Sequence, residues 1–259
     1  MSAVRGEGGC RIRVGCCGWA AARSRYFAAL DTVEVQQTFY DPPRASTLER
    51  WRAAAPPGFA FTVKCSQLVT HERNSPTYRR LRRRLPANAV VGAFRDNEWV
   101  RAAWRETLEC ARVLEAPIVL IQTPARFEPE PENLRRLRAF AGWEKHPEVR
   151  IAFEPRGPKW TAERTDALCR ELGWLRAGDP FVLPPPDAAG QPEAYFRLHG
   201  RSGYRYEFSE DDLRHVAHWA RAYAMAWVFF NNVAMWNDAR RFRSLLARST
   251  AGDRGSAPA

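Results

Sequence analysis

Polar residues that could do chemistry recur in one register along this chain. Glu34 and Gln36, Lys64, Gln122, Glu154 and Arg156, Arg197, His199 and Arg201, and Asn231 each fall within a short apolar segment, on the alternation opposite to its hydrocarbon side chains. Side chains of a strand alternate between its two faces, so one face collects acids, bases and amides. In a confined space such groups must pair or shift their pKa values. A carboxylate flanked by Lys64 and Arg156 stays ionised and can abstract a proton, whereas a carboxyl beside another carboxyl is pushed toward its acid form.

Roles follow from residue type. Glu154 is the first candidate for general acid or base, with an ion pair to Arg156 or Lys64 as the structural alternative. Lys64 can bind phosphate, or act as an amine nucleophile if its pKa is depressed; otherwise it is a counter-ion for Glu34. His199 can shuttle protons, bind a metal, or sit as a hydrogen-bonded core histidine. Arg156 and Arg201 carry the planar fork that suits carboxylate or phosphate. Glu34 is read as a positioning group. Trp19, Tyr40, Trp160, Tyr204, Tyr206 and Trp236 fall in predicted loops, where flat rings suit a sugar or nucleobase or simply pack. The catalytic set is therefore Glu154, His199 and Lys64, and the substrate-binding set is Arg156, Arg201, Glu34, Gln122, Asp179, Asn231, Tyr40, Trp160, Trp19 and His71. Glu34, Glu154, Asp179 and His199 are also types that divalent ions accept. Lys64 and Arg201 oppose a cation, however, and no His-x-His or His-Glu-x-x-His spacing is present. No cofactor and no required metal are expected, although the donor set leaves room for a divalent ion.

The elements that must hold these residues are predicted strands at Arg11–Gly15, Thr32–Thr38, Phe59–Cys65, Ile118–Thr123, Arg150–Arg156, Tyr195–Arg201 and Trp227–Asn232. Helical stretches separate them: one opened by Ser46-Thr47-Leu48-Glu49 in capping-box form, Asn97–Glu115, Thr161–Leu172, and one opened at Ser209. Strand–helix alternation argues for a parallel sheet with crossover helices. An eighth strand at Trp174–Asp179 closes it into a single (β/α)8 TIM-type barrel over residues 10–248. The competing arrangement is an open doubly wound sheet. Residues 1–9 and 249–259 read as disordered ends. Gln67–Asp96 is the longest interruption and contains His71 and a basic run, Arg79, Arg80, Arg82, Arg83 and Arg84, read as a solvated helix face or a phosphate-binding patch.

The chain has 259 residues and a net charge of +11, with Lys64, Lys145 and Lys159 as its only lysines. That balance fits either a negatively charged partner or a compositional bias toward arginine. Cys10, Cys16, Cys17, Cys65, Cys110 and Cys169 have spacings that suit neither a disulfide framework nor a zinc knuckle. No membrane-length apolar run occurs, and a soluble cytoplasmic protein is the default expectation. Oligomeric state is not legible.

Several motifs resemble the YecE-like family of TIM-barrel proteins, a domain of unknown function numbered seventy-two. Val14-Gly15-Cys16-Cys17-Gly18-Trp19 resembles its VGTSGW opening, and the segment from Asp31 to Tyr40 its NTVEINSTFY. Phe61-Thr62-Val63-Lys64 and Thr70-His71 resemble FSVK and TH. Gln122, Pro124 and Phe127 are similar to QLPPSF, and Phe153 to Trp160 to FEFRHPSW. Arg197 to Arg201 matches RLHGR, and Phe230-Asn231-Asn232 matches FNN. The order is the family's from Val14 to about Leu246. The resemblance implies the closed barrel, with Asp179 at the end of the sixth barrel strand, but no settled activity. Cys16 and Cys17 depart from Thr and Ser, Gly157 from His, and Val233 from a frequent Asp.

The residues point first to an enzyme using acid/base chemistry on a small anionic substrate, a phosphate- or carboxylate-bearing sugar or nucleotide. Hydrolysis, elimination and isomerisation all fit. A nucleic-acid-binding or nucleic-acid-processing barrel is the alternative, resting on charge and the arginine runs at Arg79–Arg84 and Arg240–Arg243. A non-catalytic small-ligand barrel is the third reading.

Overall fold

The structure is a computed structural model and describes residues 4–5, 9–144 and 147–252. Its strands are β1 (Val4–Arg5), β2 (Arg11–Cys17), β3 (Thr32–Val35), β4 (Ala60–Lys64), β5 (Ile118–Gln122), β6 (Arg150–Glu154), β7 (Leu175–Gly178), β8 (Glu193–Leu198) and β9 (Met225–Phe230). β2 to β9 follow one another in sequence order, and β9 returns to pair with β2. That last pairing is parallel and runs from Arg11 opposite Met225 to Cys16 opposite Phe230. An open sheet is thereby ruled out, and the fold is a (β/α)8 TIM barrel. β7 falls where the eighth strand was expected. β1 pairs antiparallel with the start of β2, and the last helix, Met235–Gly252, runs past the expected domain end at 248. Of the other terminal residues expected to be disordered, Gly9 is described and exposed, and the rest lie outside the described residues.

The chain divides into two compact units. The first comprises Met1–Glu34, Pro56–Ala60 and Ala177–Ala259; the second comprises Val35–Ala55 and Phe61–Arg176.

Local chemistry sets the elements. Ser209 caps the helix Glu210–Arg221 in a reciprocal box with Asp212, which satisfies backbone donors at the helix start. Asn97 and Thr161 cap the helices Glu98–Val113 and Ala162–Leu172. The helix near Ser46 differs from expectation. It spans Ala45–Ala54 with Arg44 at the cap and no side-chain cap. Pro42 and Pro43 hold the lead-in extended, so the first turn starts ahead of Ser46 and its hydroxyl sits within the helix.

Several strands end sooner than their hydrophobic pattern predicts. β3 stops at Val35, and Gln37–Tyr40 turns into a short helix, tied by the Thr38 hydroxyl at 2.9 Å from the Val35 carbonyl. β6 stops before Pro155, β8 at Leu198 and β9 at Phe230. Arg156, His199, Arg201 and Asn231 therefore lie in loops, where strand parity no longer dictates their direction.

Gly15 on β2 marks a very close backbone approach in the first unit. A Cβ there would lie 2.2 Å from the Thr32 carbonyl oxygen. Gly15→Ala is expected to cost about 1–3 kcal/mol through overpacking, read from urea unfolding; an unchanged midpoint would contradict this contact.

Candidate active site

In the first unit the polar face of the strands is largely consumed by mutual pairing. Glu34 of β3 and Arg197 of β8 form an ion pair in which both side chains are 0% exposed, with Nη2 2.8 Å from Oε1 and Nε 3.0 Å from Oε2. The Tyr195 hydroxyl donates to Oε2 at 2.7 Å. Arg13 of β2 donates to the Gly58 carbonyl at 2.6 Å and lies over the Trp227 ring, whose Nε1 donates to Glu193 at 2.6 Å. Glu34 thus ties β3 to β8, with Arg197 and Tyr195 among its partners. Arg197 stands in the polar register but was not assigned to the site, and Tyr195 was missed altogether. The signal available for Tyr195 was its place two residues before Arg197 on the same face.

Asp179, just past β7, organises the next two loops. Oδ2 accepts the His199 backbone N–H at 2.8 Å and lies 3.6 Å from His199 Nδ1, while Oδ1 accepts the Phe181 N–H at 3.0 Å. His199 is buried. Arg201 does not join an interior cluster. Its side chain is 58% exposed and pairs with Asp212 at 3.0 Å. The physical reason is that Asp212, already holding Ser209 and the Tyr206 hydroxyl, supplies a carboxylate near the surface once β8 has ended. Asn231 is half-buried, and the structural asparagine is its neighbour Asn232, which donates to the Tyr206 carbonyl and to Asp238, both at 2.7 Å. Trp19 packs edge-on against Tyr26 and Phe27.

In the second unit three adjacent strands bring chemistry to their carboxyl ends. Lys64 ends β4 level with Leu120 of β5, and Gln122 of β5 is level with Glu154 of β6. Glu154 is 3% exposed. Its Oε1 lies 2.8 Å from Nη2 of Arg156, whose side chain is 35% exposed. Lys64 is also buried, with Nζ 4.2 Å from the centroid of Phe39. His71 meets the same ring edge-on and shares a 2.7 Å hydrogen bond between Nδ1 and Thr70 Oγ1. Burial pushes the His71 pKa down to about 3, assisted by the positive charges of Lys64 and Arg126. Phe39 and Arg126 were not among the residues expected at the site. Trp160 is a packing residue, buried against Phe153 with Nε1 donating to the Phe127 carbonyl at 2.7 Å. Tyr40 receives Arg80, which donates to its hydroxyl at 3.1 Å. Gly157, where the resemblance led one to expect histidine, has φ +108°, and a Cβ there would lie 2.6 Å from the Ala125 carbonyl oxygen. This loop conformation requires glycine.

All six cysteines are buried and none is in a disulfide. Burial pushes the Cys16, Cys65, Cys110 and Cys169 thiols up to about 12, so they stay protonated and inert. Among the described residues no three His, Cys, Asp or Glu side chains group as a metal site, and no helix is long and apolar enough to cross a membrane.

Sheet order and strand-end chemistry define a TIM-barrel domain with ionisable groups at the carboxyl ends of its strands. The chain belongs to the DUF72 family: residues 13–259 match the family described as Protein of unknown function DUF72. A DUF72 family protein from Enterococcus faecalis V583 is 19% identical, with a TM-score of 0.70 over 91% of this chain and 97% of that one. Another from Thermotoga maritima MSB8 is 21% identical, with a TM-score of 0.69 over 91% and 99%. Endonuclease IV from Thermus thermophilus is 15% identical, with a TM-score of 0.50 over 92% and 98%. At these identities the likeness concerns the fold alone. No curated protein matches the chain.

Two outcomes are expected. Arg197→Met takes the paired cation away from a buried carboxylate and should cost about 3–5 kcal/mol in chemical unfolding, more than Glu34→Leu combined with Arg197→Met; a double-variant loss equal to the sum of the two single-variant losses would show that the pair is not coupled. His71 is neutral when folded down to pH about 3 but titrates near its ordinary 6.5 when unfolded. The unfolded state then binds the extra proton, so stability falls as pH drops from about 6.5 toward about 3, by about 1.4 kcal/mol per pH unit. His71→Asn should flatten that slope in unfolding measured between pH about 6 and about 4.

Proposed function

We propose that this chain is an enzyme applying acid/base chemistry to a small anionic substrate, a phosphate- or carboxylate-bearing sugar or nucleotide. The observation that carries the reading is Glu154. It is a carboxylate almost fully buried at the carboxyl end of a barrel strand, the end at which active sites of this fold lie, and it is held 2.8 Å from an arginine that itself reaches toward solvent. Burying a charge for structure alone is costly. The Arg156 guanidinium pairs with Glu154 and carries further N–H groups of the kind that hold an anion.

In this reading Glu154 takes a proton from the bound substrate. Arg156 orients the anion, and Gln122, level with Glu154 on the neighbouring strand, offers an amide to a substrate hydroxyl or carbonyl. Lys64 adds positive charge that stabilises a developing oxyanion. His71 serves as a neutral hydrogen-bonding group, because its low pKa removes it as a base at neutral pH. A ligand-binding barrel without turnover would hold the same anion and release it unchanged.

The test is a panel of sugar phosphates, sugar acids and nucleotides incubated with wild type and Glu154→Gln, with products followed by mass spectrometry. Wild type should turn over at least one class, and Glu154→Gln should lower kcat by about 10²–10⁴-fold. Turnover that survives the substitution intact would remove Glu154 from the acid/base role.

A further inference from the structure

We propose that the second unit carries a separate site for the phosphodiester backbone of nucleic acid, in the cavity of about 760 Å³ beside the short helix Gln37–Tyr40. Arg44, Arg79, Arg80 and Arg82 line it, and Asp41 is its one carboxylate. Two separate chain segments supply the cations: Arg44 leads into the helix Ala45–Ala54, and the others lie in or just after the 3₁₀ helix Pro76–Arg80.

The charge here is not offset locally. Many surface arginines elsewhere lie against carboxylates, as Arg101 does on Asp96, Arg112 on Glu109, Arg138 on Glu171 and Arg214 on Glu210. Within the basic run Arg83 is neutralised in the same way, in a bidentate pair with Glu106 at 2.9 and 2.8 Å. Among the described residues Arg44, Arg79 and Arg82 have no ion-pair partner, and all three are exposed. Asp41 is turned to the Arg82 backbone N–H and toward Arg83. A mere compositional excess of arginine gives no reason for uncompensated charge to line one cavity.

The form of the cavity selects the ligand. A single phosphate group is gripped by buried donors, whereas these donors are exposed and come from both flanks, which suits a repeating polyanion. Arg80 lies over the Tyr40 ring at 5.3 Å, and Trp51 is 7% exposed. One face of Tyr40 is thus taken by Arg80, and Trp51 is buried. The contacts therefore fall on phosphates and carry no sequence preference.

The test is fluorescence anisotropy of the full chain with a labelled oligothymidine of about 20 nucleotides and with a mixed-sequence duplex, across a potassium chloride series. Both should bind, with affinity falling steeply as salt rises. The triple variant R44Q/R79Q/R82Q should weaken binding and reduce the log–log salt slope by about 2–3, since each lost phosphate contact removes about 0.7 (single strand) to 0.9 (duplex). R44K/R79K/R82K should keep most of the slope, and R164Q/R170Q/R205Q, which removes the same charge elsewhere, should leave it unchanged. An unaltered slope in the first variant, an equal loss in the third, or displacement of the oligonucleotide by polyglutamate at matched charge would each overturn the proposal. So would absence of binding to either nucleic acid at physiological salt.

Discussion

A carboxylate and a guanidinium with no access to water govern the first unit. Glu34 and Arg197 are far apart in sequence, yet they meet in two-pronged geometry with Tyr195 as a third donor. Such a pair tolerates no loosening, because either charge alone would be stranded in a medium of low polarity. β3 and β8 are therefore fixed in depth as well as direction. Arg13 of β2, Trp227 of β9 and Glu193 at the start of β8 form a second linked set. With the strand interiors spent on each other's charges, reactive side chains are left to the strand ends and the loops that follow.

Those ends differ in character between the units. In the second unit positive charge is concentrated: Lys64 rests on the face of Phe39, Arg126 acts on His71 from nearby, and Arg156 clasps Glu154. Burial, with these charges assisting, makes His71 give up its proton long before neutrality. That combination is suited to handling anions. The first unit instead uses acids as anchors, with Asp179 fixing loop backbone and Asp212 and Asp238 gathering hydroxyls, amides and guanidinium groups.

The strands and their closure were legible because buried parallel strands announce themselves by period-two hydrocarbon, and because the eighth strand was needed topologically. Strand ends were not. Alternation continues past Val35, Glu154, Leu198 and Phe230, but the backbone turns away when a proline, a threonine hydroxyl or an aspartate supplies a competing constraint. Arg201 was misplaced for that reason. Partners were legible only when near in sequence, as with Arg156 and Glu154. Arg83 with Glu106, and Arg197 with Glu34, pair across spans of chain that no local pattern records. The basic run read as one patch but divides into a neutralised member and exposed ones, a distinction that depends on where the helix Glu98–Val113 places Glu106.

The grip of Asp179 on residue 199 has an evolutionary corollary. The firmer of its two contacts is with main-chain nitrogen, a feature every amino acid except proline shares. Loop shape at that point is thereby insulated from side-chain identity. Such a position is an interchangeable socket: a lineage can trade imidazole for another functional group there and change the chemistry of the loop while the scaffold stays as it is.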